Sequence, residues 1–201
     1  MKKILVIIIL GCIVFNCFLG NSPYNLEKLI KENNDVIGII TIDGTNINFP
    51  VLKGANNDFY LNHDINKKEN LVGSVFMDYR NNIFDRQINI YAHSSKVYKA
   101  PFNDLLNYLK KDTFINYKKI NLTTIDKTYN YLIFACLVTS DNKHMNLELS
   151  DEDYIEQLNY FKENSIYNVN LDLNEKMKII VLQTCLLDDD SYLLVIGRLI
   201  S

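Results

Sequence analysis

Eight short runs of β-branched and aromatic residues, each closed off by turn-forming residues, most constrain what this chain can fold into. They read "VIGIITI", "INFPVL", "VGSVFMD", "INIYAH", "KINLTT", "TYNYLIFACLVT", "KMKIIVLQTC" and "YLLVIGRLI". Runs of this length and spacing suggest a mainly β, closed or nearly closed eight-stranded barrel. Asp43-Gly44 and Asp126-Lys127 supply turn chemistry between neighbouring runs. One helical pattern precedes the strands and two interrupt them. "NLEKLIKENN" presents Leu26, Leu29 and Ile30 on one face, "APFNDLLNYLK" follows the strand leading to His93, and "SDEDYIEQLNYFKEN" begins at Ser150, a natural N-cap with acids behind it. At 201 residues, 48% of them hydrophobic, the chain holds one domain with a sizeable core. Its net charge of −3 and scattered lysines offer no basic surface for nucleic acid.

The N-terminus sets two lysines before an apolar run from Ile4 to Leu19, near the minimum for crossing a bilayer core of roughly 30 Å. Three fates compete: an uncleaved anchor, a cleaved signal peptide, and a lipoprotein signal cut before Cys12. The lack of an A-x-A-like site and the continuation of the run past Cys12 favour the anchor. The expected division is a membrane segment over residues 1–20, a linker and helix over 21–35, and a barrel over 36–201. The lysines place the barrel on the extracellular side of the cell membrane.

Cys12 and Cys17 fall in the apolar segment, which leaves Cys136 and Cys185 in the exported domain. A disulfide between them is the plain expectation outside the cell. Against it, Cys136 lies within a buried-looking strand, whereas Cys185 ends a strand beside polar residues. A free Cys185 needs a proton acceptor, and histidine is the suitable side chain near neutral pH. His63 in "YLNHDIN" and His144 in "SDNKHMN" read as solvated surface residues. His93 ends an apolar strand, as Cys185 does, and two strand ends can meet at one rim of a barrel. The histidines and cysteines lack metal-ligand spacing.

The segments "IGIITIDGTNINFPVLKGANNDFYLNHD", "GSVFMDYRN", "INIYAHSS" and "VLQTC" resemble, in this order, the class B sortases, and the resemblance covers residues 26 to 201. It implies a sortase-type barrel on a Gram-positive cell surface. Such an enzyme cuts a C-terminal sorting signal of a secreted protein, holds the acyl part as a cysteine thioester, and passes it to a cell-wall or protein amine. It further implies Cys185 as nucleophile, His93 as acid and base, and a groove walled by Asn57, Leu61, Gln183 and Thr184. Gln183 stands where relatives often have serine. Class A relatives use calcium and class B members generally do not, so no cofactor or metal is expected.

One departure is serious. The family has an arginine at the start of the last strand, against the substrate backbone and the developing oxyanion. Here Tyr192 takes that position. Arg198 of "GRL" lies six residues further on, roughly 20 Å along a strand, beyond a side chain's reach. Tyr192 is then the expected stand-in, while Arg80 and Arg86 have no position fixed by the sequence. A papain-like peptidase, whose cysteine opens a helix, and an inactive membrane-anchored binding module remain the alternatives.

Overall fold

A computed structural model describes residues 23–186 and 190–201. The apolar segment expected to span a membrane lies outside these residues, as does part of the turn after Cys185. Among the described residues no helix is long and apolar enough to cross a membrane.

The eight strands are β1 (Val36–Ile42), β2 (Asn48–Leu52), β3 (Val75–Met77), β4 (Gln87–Tyr91), β5 (Lys119–Thr123), β6 (Thr128–Thr139), β7 (Ile179–Cys185) and β8 (Tyr192–Leu199). They close into a barrel in the order β1-β2-β3-β4-β7-β8-β6-β5. The β2–β3 and β4–β7 pairs are parallel and the rest antiparallel. Ile40, Ile88, Ile90, Leu122, Ile180, Leu182 and Val195 fill the interior.

Helix α3 (Asp151–Glu163) lays Tyr154, Leu158 and Phe161 over the outer face of β6, β7 and β8, against Phe134, Val181, Leu194 and Ile196. This second layer explains why β7 and β8 read as unbroken apolar runs instead of alternating: both faces are covered. Along β7 the first six residues are buried and only Cys185 is exposed. Ser150 caps α3 by accepting the Asp153 N–H, as its sequence suggests. Helix α1 (Leu26–Glu32) packs Leu26, Leu29 and Ile30 against Tyr60, Phe76 and Tyr91.

Two elements differ from expectation. The "APFNDLLNYLK" insert is a 3₁₀ helix over Asn103–Leu109, broken by extended Lys110 before the short α2 (Lys111–Asn116). Phe102, Leu105 and Tyr108 are each fully buried, a three-residue repeat that suits three residues per turn. Strand β3 keeps only three residues because Gly73 turns the chain at a φ of +57°. A Cβ there would lie 2.4 Å from the Leu61 carbonyl oxygen, so glycine lets the Asn57–Leu61 loop press against the barrel.

Candidate active site

Parallel pairing of β4 with β7 brings their C-terminal ends to one rim, with Tyr91 opposite Gln183. The last backbone rung runs from the Ala92 N–H to the Gln183 carbonyl at 3.3 Å. His93 and Cys185 follow directly and line one cavity of about 250 Å³. Asn57 and Leu61 form its near wall, Gln183 and Thr184 lie beside the thiol, and Tyr192 borders it from β8. All seven residues expected at the site are therefore brought together. Among the described residues no group of three or more His, Cys, Asp or Glu side chains could hold a metal ion.

Cys185 and Cys136 are both free, so no disulfide joins them and Cys185 is the free thiol that its strand-end position leads one to expect. Cys136 points into the core, where burial pushes its thiol up to about 12. Cys185 is exposed at the rim, yet partial burial pushes its thiol up too. Its surroundings thus favour the protonated thiol over a preformed thiolate, unlike the low-pKa cysteines found beside fixed cations. His93 Nε2 lies 2.9 Å from the Leu61 carbonyl oxygen. A carbonyl can only accept, so Nε2 is the donor and Nδ1 is the ring nitrogen left for proton exchange.

Among the described residues no arginine or lysine lines the cavity. Arg80 is spent on Asp78, to which it donates from Nε at 2.9 Å and Nη2 at 2.7 Å. Arg86 binds Asp151 at 2.8 Å and the Leu149 carbonyl. Arg198 pairs with Ile179, at the opposite end of the β7–β8 hairpin from the Cys185–Tyr192 pair.

Several residues behind the cavity are not visible as site residues in the sequence. Asp78, fully buried, accepts from Arg80, from the Tyr91 hydroxyl at 2.9 Å and from Asn57 Nδ2 at 3.1 Å, and so holds the near wall. Burial alone would raise its carboxyl, but these hydrogen bonds outweigh it and hold the group at about 2. The only sequence signal was its place inside "FMDYRN", an acid ending an apolar strand.

His144 corrects the surface expectation. It is 1% exposed, with Nε2 2.7 Å from Gln183 Oε1, while its carbonyl accepts from Gln87 and Asn89. Burial pushes this imidazole down against the pull of Gln183 and Asp141, and Nδ1 has no partner. Next to it, Met145 lines the cavity while its carbonyl accepts from Arg80. His63 is half-buried instead of freely solvated, its ring stacked on Phe59 at 4.0 Å.

No family model matches the chain. Individual proteins do. Sortase B of Listeria monocytogenes is 33% identical over 173 residues, covering 83% of this chain and 69% of that protein. Sortase B of Staphylococcus aureus is 32% identical over 169 residues, covering 83% and 68%. Among solved structures, the Staphylococcus aureus sortase B–substrate complex matches with a TM-score of 0.80 at 29% identity, over 88% of this chain and 84% of that one. Clostridium perfringens sortase B matches with a TM-score of 0.79 at 29% identity, over 87% and 99%. A sortase B complexed with triglycine matches with a TM-score of 0.81 at 28% identity, over 87% and 85%. Similarity of this extent, joined to a barrel whose rim carries a free cysteine and a histidine, makes the chain a member of the class B sortases, the cysteine transpeptidases.

Proposed function

We propose that the protein cleaves a C-terminal sorting signal through a Cys185 thioester and transfers the acyl part to an amine of a cell-wall precursor or another protein. The convergence of Cys185 and His93 on one cavity carries this reading. His93 Nδ1 takes the thiol proton as sulfur attacks the scissile carbonyl, giving a tetrahedral adduct. The adduct collapses as the leaving amine takes that proton from His93, which leaves the thioester. An acceptor amine then attacks, giving its proton to His93, and the Cys185 thiol is regenerated with the proton returned from the imidazole. A relative solved with substrate and another solved with triglycine support a peptide signal and an amine acceptor.

Tyr192 supplies the oxyanion contact here, together with backbone N–H groups near Cys185. A phenol donates one hydrogen bond and carries no charge, so it lacks the grip of a guanidinium fork. A slow enzyme follows. Residues 1–20 anchor it in the membrane, with the barrel outside the cell and secreted proteins as substrates.

The missing cation favours a second reading, a barrel that binds sorting signals without cutting them. Incubating the protein with a panel of Asn-Pro-type and Pro-type sorting peptides, followed by mass spectrometry of Cys185, separates the two. A peptide-dependent thioester that hydroxylamine releases supports the transpeptidase. Peptide binding with no acylation by any peptide overturns it in favour of the binding module.

A further inference from the structure

Strand β4 leaves its ladder with β7 just before the histidine. Extending the two-residue repeat beyond the Ala92–Gln183 rung would put the backbone N–H of residue 94 on the Cys185 carbonyl. The side chain makes that bond instead: Ser94 Oγ donates to the Cys185 carbonyl oxygen at 2.8 Å, and Ser94 is 7% exposed. His93 therefore sits between two ties to β7, one at Ala92 and one at Ser94. It has two more of its own, through the Phe102 N–H to its carbonyl at 3.0 Å and through Nε2 to Leu61. On the other side of the Cys185–Leu186 peptide, the Leu186 N–H donates to the Ser191 carbonyl at 2.8 Å. That peptide unit is held by Ser94 on one side and by the segment leading into β8 on the other.

We propose that Ser94 is a positioning residue that sets the Cys185 thiol against the His93 imidazole by replacing the missing rung. Its hydroxyl reaches past the point where the chain bends, which frees His93 to turn over the cavity while its neighbour keeps the strand ends together. The proposal rests on the reading that Cys185 and His93 act as a pair. Serine fits because a hydroxyl can donate across this short gap; alanine loses the donor, whereas threonine keeps it.

The test is a double-mutant cycle on the alkylation of Cys185 by iodoacetamide in the folded protein, followed from pH 5 to 10. His93→Ala alone reports whether the pair exists: if it leaves the rate and pH profile unchanged, the pair reading fails. Given a His93 effect, Ser94→Ala should slow alkylation near neutral pH by about tenfold, Ser94→Thr should stay within about twofold of the parent, and Ser94→Ala on top of His93→Ala should add less than about twofold. Equal loss in both backgrounds would assign Ser94 a merely structural role and overturn the proposal, and so would no loss in either. Thermal melting of each variant separates misfolding from misplacement. Because no sorting peptide is involved, a negative peptide panel leaves this outcome unaffected.

Discussion

Cys185 and Tyr192 are paired as the terminal rung of the β7–β8 hairpin, so the thiol and the phenol rise from the same face of the sheet. Tyr192 borders the same cavity and approaches the His144 ring edge-on, with centroids 6.2 Å apart. Tyr192→Phe should therefore lower the rate of thioester formation, by up to the roughly 10²-fold that loss of one oxyanion donor costs. Tyr192→Arg should preserve or raise it, and Arg198→Ala, at the far end of the hairpin, should leave it nearly unchanged. Single-turnover acylation of the three variants decides. A large loss from Arg198→Ala in a folded protein would contradict the hairpin register.

Cys185→Ala should abolish acylation while leaving the melting temperature near that of the parent, since an exposed rim residue opens little cavity. His93→Ala should lose most of the rate. His63→Ala should lose little, and His144→Ala should act through stability, at a cost of about 2 kcal/mol or more from the cavity and the orphaned Gln183 amide. Urea titration beside the acylation assay distinguishes these outcomes.

Asp78 predicts acid lability. An unfolded aspartate titrates at about 3.9, whereas the folded carboxyl is held at about 2. Between those values the unfolded chain binds a proton that the folded protein refuses. The stabilisation, on the order of 2 kcal/mol, is thus fully present above the unfolded value and is lost as pH falls toward 2. Asp78→Asn should flatten this part of the stability profile and lower stability at neutral pH. Denaturant midpoints from pH 2 to 7 measure both.

Gly73→Ala should impair the site without touching it. The added methyl would collide with the Tyr60 and Leu61 carbonyls, and the second of these holds His93. A loss of about 1 kcal/mol or more in stability, from left-handed backbone and crowding together, should accompany weaker acylation. Full activity in this variant would show that the Leu61 contact is dispensable.

The sequence is most legible where burial is most complete. Strands β7 and β8 announce themselves as long apolar runs because α3 covers one face and the barrel interior the other. The register that opposes Tyr192 to Cys185 follows from where those runs stop and start. Contacts between distant polar residues are not legible. His144 sits in a polar stretch that reads as exposed, yet amides from β4 and β7 meet it in the interior, Gln87 and Asn89 at its carbonyl and Gln183 at its ring. The Ser94–Cys185 bond joins residues 91 positions apart, with no local pattern to mark it. The 3₁₀ stretch from Asn103 to Leu109 reads as an ordinary helix because periods of three and 3.6 hardly diverge over two turns.

The parallel pairing of β4 with β7 has an evolutionary consequence. Parallel neighbours require a long crossover, and in this chain that crossover carries α2, β5, β6 and α3. Its loop segments, Met145 among them, can lengthen, shorten or change sequence while the ladder keeps His93 and Cys185 in register. Selectivity can therefore drift by loop exchange without rebuilding the chemistry, and the stretch between Thr139 and α3 is the natural segment to transplant when retargeting such an enzyme.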